Sequence, residues 1–210
     1  MKRLLTLIAA VSLLGIISVE AQVYAKLNTL YAVVGVINPQ VEAVIAPKSS
    51  FVVDATYSPW KSINGKHANF GILQAEYRYY FKETARGWYL SGNVGMMGYD
   101  INKPKLFDGG LLGIIDLKTT YSKGFGVMVG VGAGYQYSFA KRWVLDVYLA
   151  LDYMRSWYNG YQPDGTVIMV PYGHEDYEKP DPFNGSSEVF PTKVGVSIGY
   201  KLFSPRSNLP

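Results

Sequence analysis

Eight ionisable residues recur on the polar side of alternating segments: Glu42, Asp54, Glu76, Arg78, Asp146, Asp152, Lys193 and Lys201. Successive side chains of a β-strand point to opposite faces, so each of these shares a face with small or polar neighbours while the intervening positions are apolar. Carboxylates and cations gathered on one inner surface can do one of two things. They can relay protons or ions along a polar path, or they can pair with one another and fill the space. A buried charge without a partner costs several kcal/mol, so a narrow interior forces pairing. The interior of an eight-stranded barrel is only wide enough for side chains, and a plug of salt bridges is therefore the expected arrangement.

Other residues with chemical potential fall in the connections. The histidines are His67 and His174. Around His174, Asp164, Glu175, Asp176, Glu178 and Asp181 supply oxygen donors of the kind a hard cation such as calcium takes, but their spacing matches no EF-hand or zinc signature, acidic loop residues are usually solvated, and no metal site is expected. Ser62 with His67, and Ser186 or Ser187 with His174, are the local nucleophile and base pairings. Neither sits in a recognisable motif, and turn chemistry accounts for both. No catalytic residue and no cofactor is expected, and a surface enzyme acting on lipid or peptide is the alternative. The last connection is unusually aromatic for a wet segment. Tyr158, Tyr161, Tyr172, Tyr177, Phe183 and Phe190 accompany the apolar run Val167 to Val170, and Tyr161, Tyr172, Tyr177 and Phe183 are its interaction candidates. Two readings stay open there: a surface that contacts a protein or glycan, or a strand from Thr166 to Tyr172 that continues the wall.

The strongest of the elements that must carry these groups is Gly124 to Ala140. Its odd positions run Phe125, Val127, Val129, Val131, Ala133, Tyr135, Tyr137 and Phe139, and its even positions are mostly glycine. Its aromatic and valine face is expected to touch lipid, and its glycines to leave room for the charged side chains of neighbouring strands. Seven other runs repeat the alternation: Val23 to Val36, Gln40 to Ala46, Phe51 to Ser58, Phe70 to Phe81, Trp88 to Asp100, Trp143 to Tyr158 and Lys193 to Phe203. About 9 to 11 tilted strand residues cross the hydrocarbon of a bilayer, which most of these runs supply. The connections near 47–50, 82–86 and 140–142 are short, whereas those near 59–69, 101–123 and 159–191 are long, the asymmetry of an outer-membrane barrel. Tyr57, Trp60, Phe81, Trp88, Phe139, Trp143, Trp157, Tyr200 and Phe203 lie near run ends, where interfacial aromatic girdles belong.

Composition narrows the class further. Lys2 and Arg3 precede an apolar run from Leu4 to Ile17, and Val19-Glu20-Ala21 is a small-x-small cleavage pattern, which predicts an export leader over 1–21 cleaved near Ala21. The formal charge of +4 for the whole chain falls to about +3 when Lys2, Arg3 and Glu20 leave with it, too mild a balance for a nucleic-acid partner. The chain has no cysteine, which removes disulfides, thiol nucleophiles and thiolate metal sites. With 18 tyrosines and 22 glycines, the composition fits a β-protein at an interface. Past the leader, no apolar run is long enough for a transmembrane helix.

The expected fold is all-β, an eight-stranded antiparallel up-and-down transmembrane barrel of outer-membrane type over 22–203, with a tail at 204–210. A soluble lipocalin-like ligand carrier is the competing architecture, its apolar face turned inward. Lys193-x-Gly195-x-x-Ile198-x-Tyr200 resembles the terminal signal read by the barrel insertion machinery. Asn28-x-x-Tyr31, Asn38-Pro39-x-x-Glu42, Tyr57-x-Pro59-Trp60, Glu76-x-Arg78-Tyr79-Tyr80-Phe81, Trp143-x-x-Asp146 and Pro191-Thr192-Lys193, taken in order, resemble a Bacteroidota outer-membrane β-barrel family catalogued only as a domain of unknown function. That resemblance covers the whole mature chain. It implies an outer-membrane location, with its lipids as partners, and in some members an association with fimbrial or adhesin genes. It implies no catalytic residues.

Overall fold

The alternation is realised as a ring. The computed structural model describes residues 22–61, 65–102, 104–105, 116–117, 119–172, 174–180 and 186–203. The leader at 1–21, the tail at 204–210, Ser62 and Phe183 lie outside that set. Eight strands, β1 (Val23–Asn28), β2 (Pro39–Ala46), β3 (Ser49–Ser58), β4 (Ala68–Tyr80), β5 (Gly87–Ile101), β6 (Tyr121–Ser138), β7 (Trp143–Tyr161) and β8 (Ser186–Phe203), pair with their sequence neighbours. All pairings are antiparallel, and β8 pairs back onto β1 to close the barrel.

Register fixes the tilt. The ladder runs from Lys26 through Gln40, Asp54, Gln74, Gly95, Met128 and Met154 to Glu188, whereas Lys26 also pairs directly with Gly199. The offset of eleven residues from Glu188 to Gly199 includes the extra residue of a bulge between Pro191 and Lys193. One circuit therefore climbs about ten residues, a stagger that goes with strands tilted by roughly 40°.

The first run ends sooner than its apolar pattern predicts. Instead of a strand to Val36, β1 stops at Asn28 and a single helical turn, α1 (Thr29–Val33), follows. The cause is local. Asn28 Oδ1 accepts from the amides of Leu30 and Tyr31 at 3.1 and 3.4 Å, which caps the turn and competes with strand continuation. The shortness of β1 leaves β8 above Ser197 without a strand on that side among the described residues. Asn28 Nδ2 donates to the carbonyl of Val194 at 3.2 Å and Thr29 Oγ1 to that of Val196 at 2.6 Å, so these two residues satisfy part of that edge. Replacing Asn28 with Ala removes the cap and one edge bond. The expected loss is about 1–2 kcal/mol locally, read as amide exchange at Leu30 and Tyr31 that speeds up tenfold or more; unchanged exchange would refute this account of the cap.

The other ends also move. β8 begins at Ser186 rather than Lys193, and β7 runs to Tyr161. β8 extends above its predicted run because Ser186 to Pro191 ladder against Leu151 to Ser156, and β7 because Asn159 to Tyr161 ladder against Tyr121 to Lys123 of β6. The segment from Thr166 to Tyr172 does not continue the wall. Met169–Tyr172 pairs with His174–Pro180 as a separate two-stranded ladder, and Val167 makes one bridge to Tyr161.

Candidate functional site

The inward face of every strand is polar at mid-height. Lys26, Glu42, Asp54, Glu76, Arg78, Asp146 and Lys193 are each at most 5% exposed. They form one continuous ladder of ion pairs. Lys26 pairs with Glu42, and its Nζ lies 2.8 Å from Asp146 Oδ2. Arg78 reaches that same oxygen at 2.6 Å through Nη1 and Glu76 Oε1 at 2.9 Å through Nε, and lies 3.8 Å from Glu42. Lys193 Nζ joins Glu76 Oε2 at 2.5 Å to Asp54 Oδ2 at 2.6 Å. Three cations thus alternate with four carboxylates drawn from β1, β2, β3, β4, β7 and β8.

The two remaining strands contribute neutral partners. Tyr89 of β5 donates to Asp146 Oδ1 at 2.8 Å, and its ring lies 4.5 Å beneath the Arg78 guanidinium. Gln136 of β6 donates to Glu42 Oε2 at 3.4 Å, and the Tyr80 hydroxyl lies 2.6 Å from Glu42 Oε1. Charge-assisted bonds of this kind are the strong ones, and in a dry interior they hold only if every member is matched. The ladder consequently ties all eight strands together across the barrel axis.

Above and below it other side chains pack in the interior. Towards the short turns Tyr24, Ala85 and Val144 pack together. Towards the long connections, Met97, Tyr99, Met128 and Met154 pack with Phe70, Ile72, Ile101 and Tyr158 around them. Asp152 is buried between ladder and methionines, where Gln74 and Asn93 each donate to Oδ2 at 3.3 Å. Glycines give this filling its room. A Cβ on Gly134 would run into the Tyr89 ring, one on Gly195 into Tyr148, one on Gly130 into Asp152 and one on Gly199 into Lys26. The space goes to tyrosine rings as much as to charges.

Of the eight sequence candidates, six stand in the ladder: Glu42, Asp54, Glu76, Arg78, Asp146 and Lys193. Asp152 lies inside the barrel but bonds to amides. Lys201 is half-buried at the short-turn mouth with Nζ 5.5 Å over the Tyr24 ring, away from the ladder. Sequence reasoning missed Lys26, although it shares parity with the buried Asn28. The signal is in the count, since the five carboxylates among the candidates outnumber the cations Arg78, Lys193 and Lys201.

At the opposite mouth, His67 Nδ1 lies 2.9 Å from Asp100 Oδ1, and its ring stacks on Tyr121 at 3.9 Å, which stacks in turn on Tyr161 at 5.1 Å. His67 therefore faces a carboxylate and an aromatic wall. Beyond Tyr161 the chain turns at 162–166, where the Thr166 amide donates to Asp164 Oδ1 at 2.9 Å and pulls that carboxyl below its ordinary range. The side chains of Tyr172, Tyr177 and His174 lie outside the described set, as does Phe183. Among the described residues no group of three or more histidine or acidic side chains is placed to hold a metal ion.

A family model described as a protein of unknown function (DUF3575) matches residues 5–202. No curated protein matches the chain significantly, nor does any solved structure.

Proposed function

This chain belongs to the DUF3575 family of proteins of unknown function, and we propose that it is a small outer-membrane β-barrel without a through-pore, with a structural or surface-interaction role carried by its outer loops. The observation that carries this reading is the outer wall. Phe51, Val53, Leu73, Leu90, Val94, Val129, Val131, Leu149, Leu151 and Ile198 all face outward and are exposed. An apolar belt of that extent cannot face water without association. From Trp143 to Tyr153 on β7 the belt covers eleven residues, or roughly 25 Å of height at a tilt of roughly 40°, the thickness of the apolar band of such barrels. Phe81, Trp88, Phe139 and Trp143 ring its short-turn edge, and Tyr57, Trp60 and Tyr153 stand at the other. The apolar face points away from the axis, the reverse of a lipocalin-type carrier.

Outer-membrane lipids and the barrel insertion machinery are the partners this reading requires. A surface protein or glycan is the partner proposed for the loops, with adhesion or fimbriae as the setting. Cell fractionation should place the protein in the outer membrane, and its folded band should migrate differently on a gel before and after boiling. Recovery in the soluble periplasmic fraction without heat-modifiable mobility would refute the reading.

The ion-pair ladder and its two apolar caps set a second expectation. Reconstituted in planar bilayers, the protein should give no stable, large single-channel conductance, because side chains occupy the axis from Val144 to Met154. Steady openings of that kind would overturn the absence of a pore.

A further inference from the structure

The charges outside the barrel are sorted by end. At the short-turn rim, Lys48 lies between β2 and β3, Lys82 and Arg86 between β4 and β5, and Lys141 and Arg142 between β6 and β7; all five are exposed. Half-buried Lys201 points into the same mouth. Among the described residues this rim holds one carboxylate, Glu83, which pairs with Arg86 at 3.1 Å. The opposite end is mixed, with Lys61, Lys66, Lys123 and Arg155 set among Asp100, Asp164 and Glu188. Solvation alone does not call for such a one-signed ring, since like charges crowded on one rim repel.

What lies next to the ring points to its partner. Phe81 precedes Lys82, Trp88 lies two residues after Arg86, and Trp143 follows Arg142, so two of the three basic turns adjoin exposed aromatics at the edge of the apolar belt. Arg142 Nη1 also donates to the Tyr200 hydroxyl at 3.2 Å, which holds that cation against the girdle. Cations placed one or two residues from a girdle, as Lys82, Arg86, Lys141 and Arg142 are, sit at the depth of lipid phosphates. We propose that the short-turn rim is a docking ring for the anionic headgroups of phospholipids in the leaflet it contacts. This rests on the membrane reading above. The ring would seat the barrel at a fixed depth and orientation by enriching anionic lipid around its turns.

The test uses the full mature chain refolded into vesicles of phosphatidylcholine, with or without a third of phosphatidylglycerol, and then extracted in mild detergent for native mass spectrometry. The wild type should retain phosphatidylglycerol over phosphatidylcholine by tenfold or more beyond the vesicle composition. Each cation near an anionic surface contributes about fivefold, so K48Q/K82Q/K141Q should bring retention down to the vesicle ratio, and R142Q alone should lower it several-fold. K61Q/K66Q/K123Q, at the other end, should retain as much as the wild type. Equal retention by the wild type and K48Q/K82Q/K141Q would overturn the ring while leaving the barrel reading intact, as would an equal loss in the opposite-end variant. No heat-modifiable band in either vesicle type would overturn the barrel reading, and the ring with it.

Discussion

Replacing Arg78 with Met should collapse the resistance of the folded barrel to denaturants. The guanidinium is fully buried and neutralises Asp146 and Glu76 directly, with Glu42 3.8 Å away. Methionine fills similar volume, so the change leaves little cavity and isolates the electrostatic effect. Two cations, Lys26 and Lys193, would then face four buried carboxylates. Removing one partner of a buried ion pair costs about 3–5 kcal/mol, against a total stability of about 5–15 kcal/mol. At roughly 2 kcal/mol per M, the urea midpoint in detergent should fall by about 2 M, and the heat-modifiable band should vanish at a lower temperature. R78M/E76Q/D146N should recover much of the loss, because neutral side chains of similar shape leave no unmatched charge. An unchanged midpoint for R78M would show that the ladder does not hold the barrel together.

The same ladder shows which parts of the architecture were legible in the chain. Period-two alternation carries face and strand identity, so the placement of Glu42, Arg78 and Asp146 on the polar face of their strands follows from parity, whereas which face turns inward does not. Strand ends were less legible. Val23 to Val36 reads as one apolar run, yet the Asn28 side chain offers the backbone a helical cap, and a single amide overrides the pattern. At β8 the alternation marks a run only from Lys193, and Pro191 just before it lacks the amide that a central strand donates. It is accommodated here at a bulge, beside an edge that α1 covers only in part. Pairing was the least legible property. Arg78 lies two residues from Glu76 but 68 from Asp146, and only the stagger of the closed sheet brings Asp146, Lys26 and Arg78 to one level. Lys26 was overlooked for the same reason, since nothing local announces a partner 120 residues away.

Gly195 is where backbone and interior meet most tightly, and a valine there should be as damaging as the loss of Arg78. A Cβ at that position would collide with Cζ and the hydroxyl of Tyr148 and lie 2.6 Å from Asn28 Nδ2. The Tyr148 hydroxyl accepts from Gln40 Nε2 at 2.6 Å and lies 3.0 Å from Ser197 Oγ. Asn28 caps α1 and bonds the β8 edge, so neither neighbour can retreat without breaking bonds. Overpacking alone costs about 1–3 kcal/mol, and stranded polar groups add about 1–3 kcal/mol, so G195V should unfold well below the wild-type midpoint. The compensating change is on the other strand. Y148A removes the ring that blocks the new side chain, so G195V/Y148A should be more stable than the sum of the two single losses predicts, by about 1 kcal/mol or more for residues in direct contact. Strictly additive losses would mean that Gly195 serves the backbone of β8 and not the space beside Tyr148. The distinction matters for the whole interior, because it decides whether the glycines of β6 and β8 are passive or set which tyrosines can close the axis.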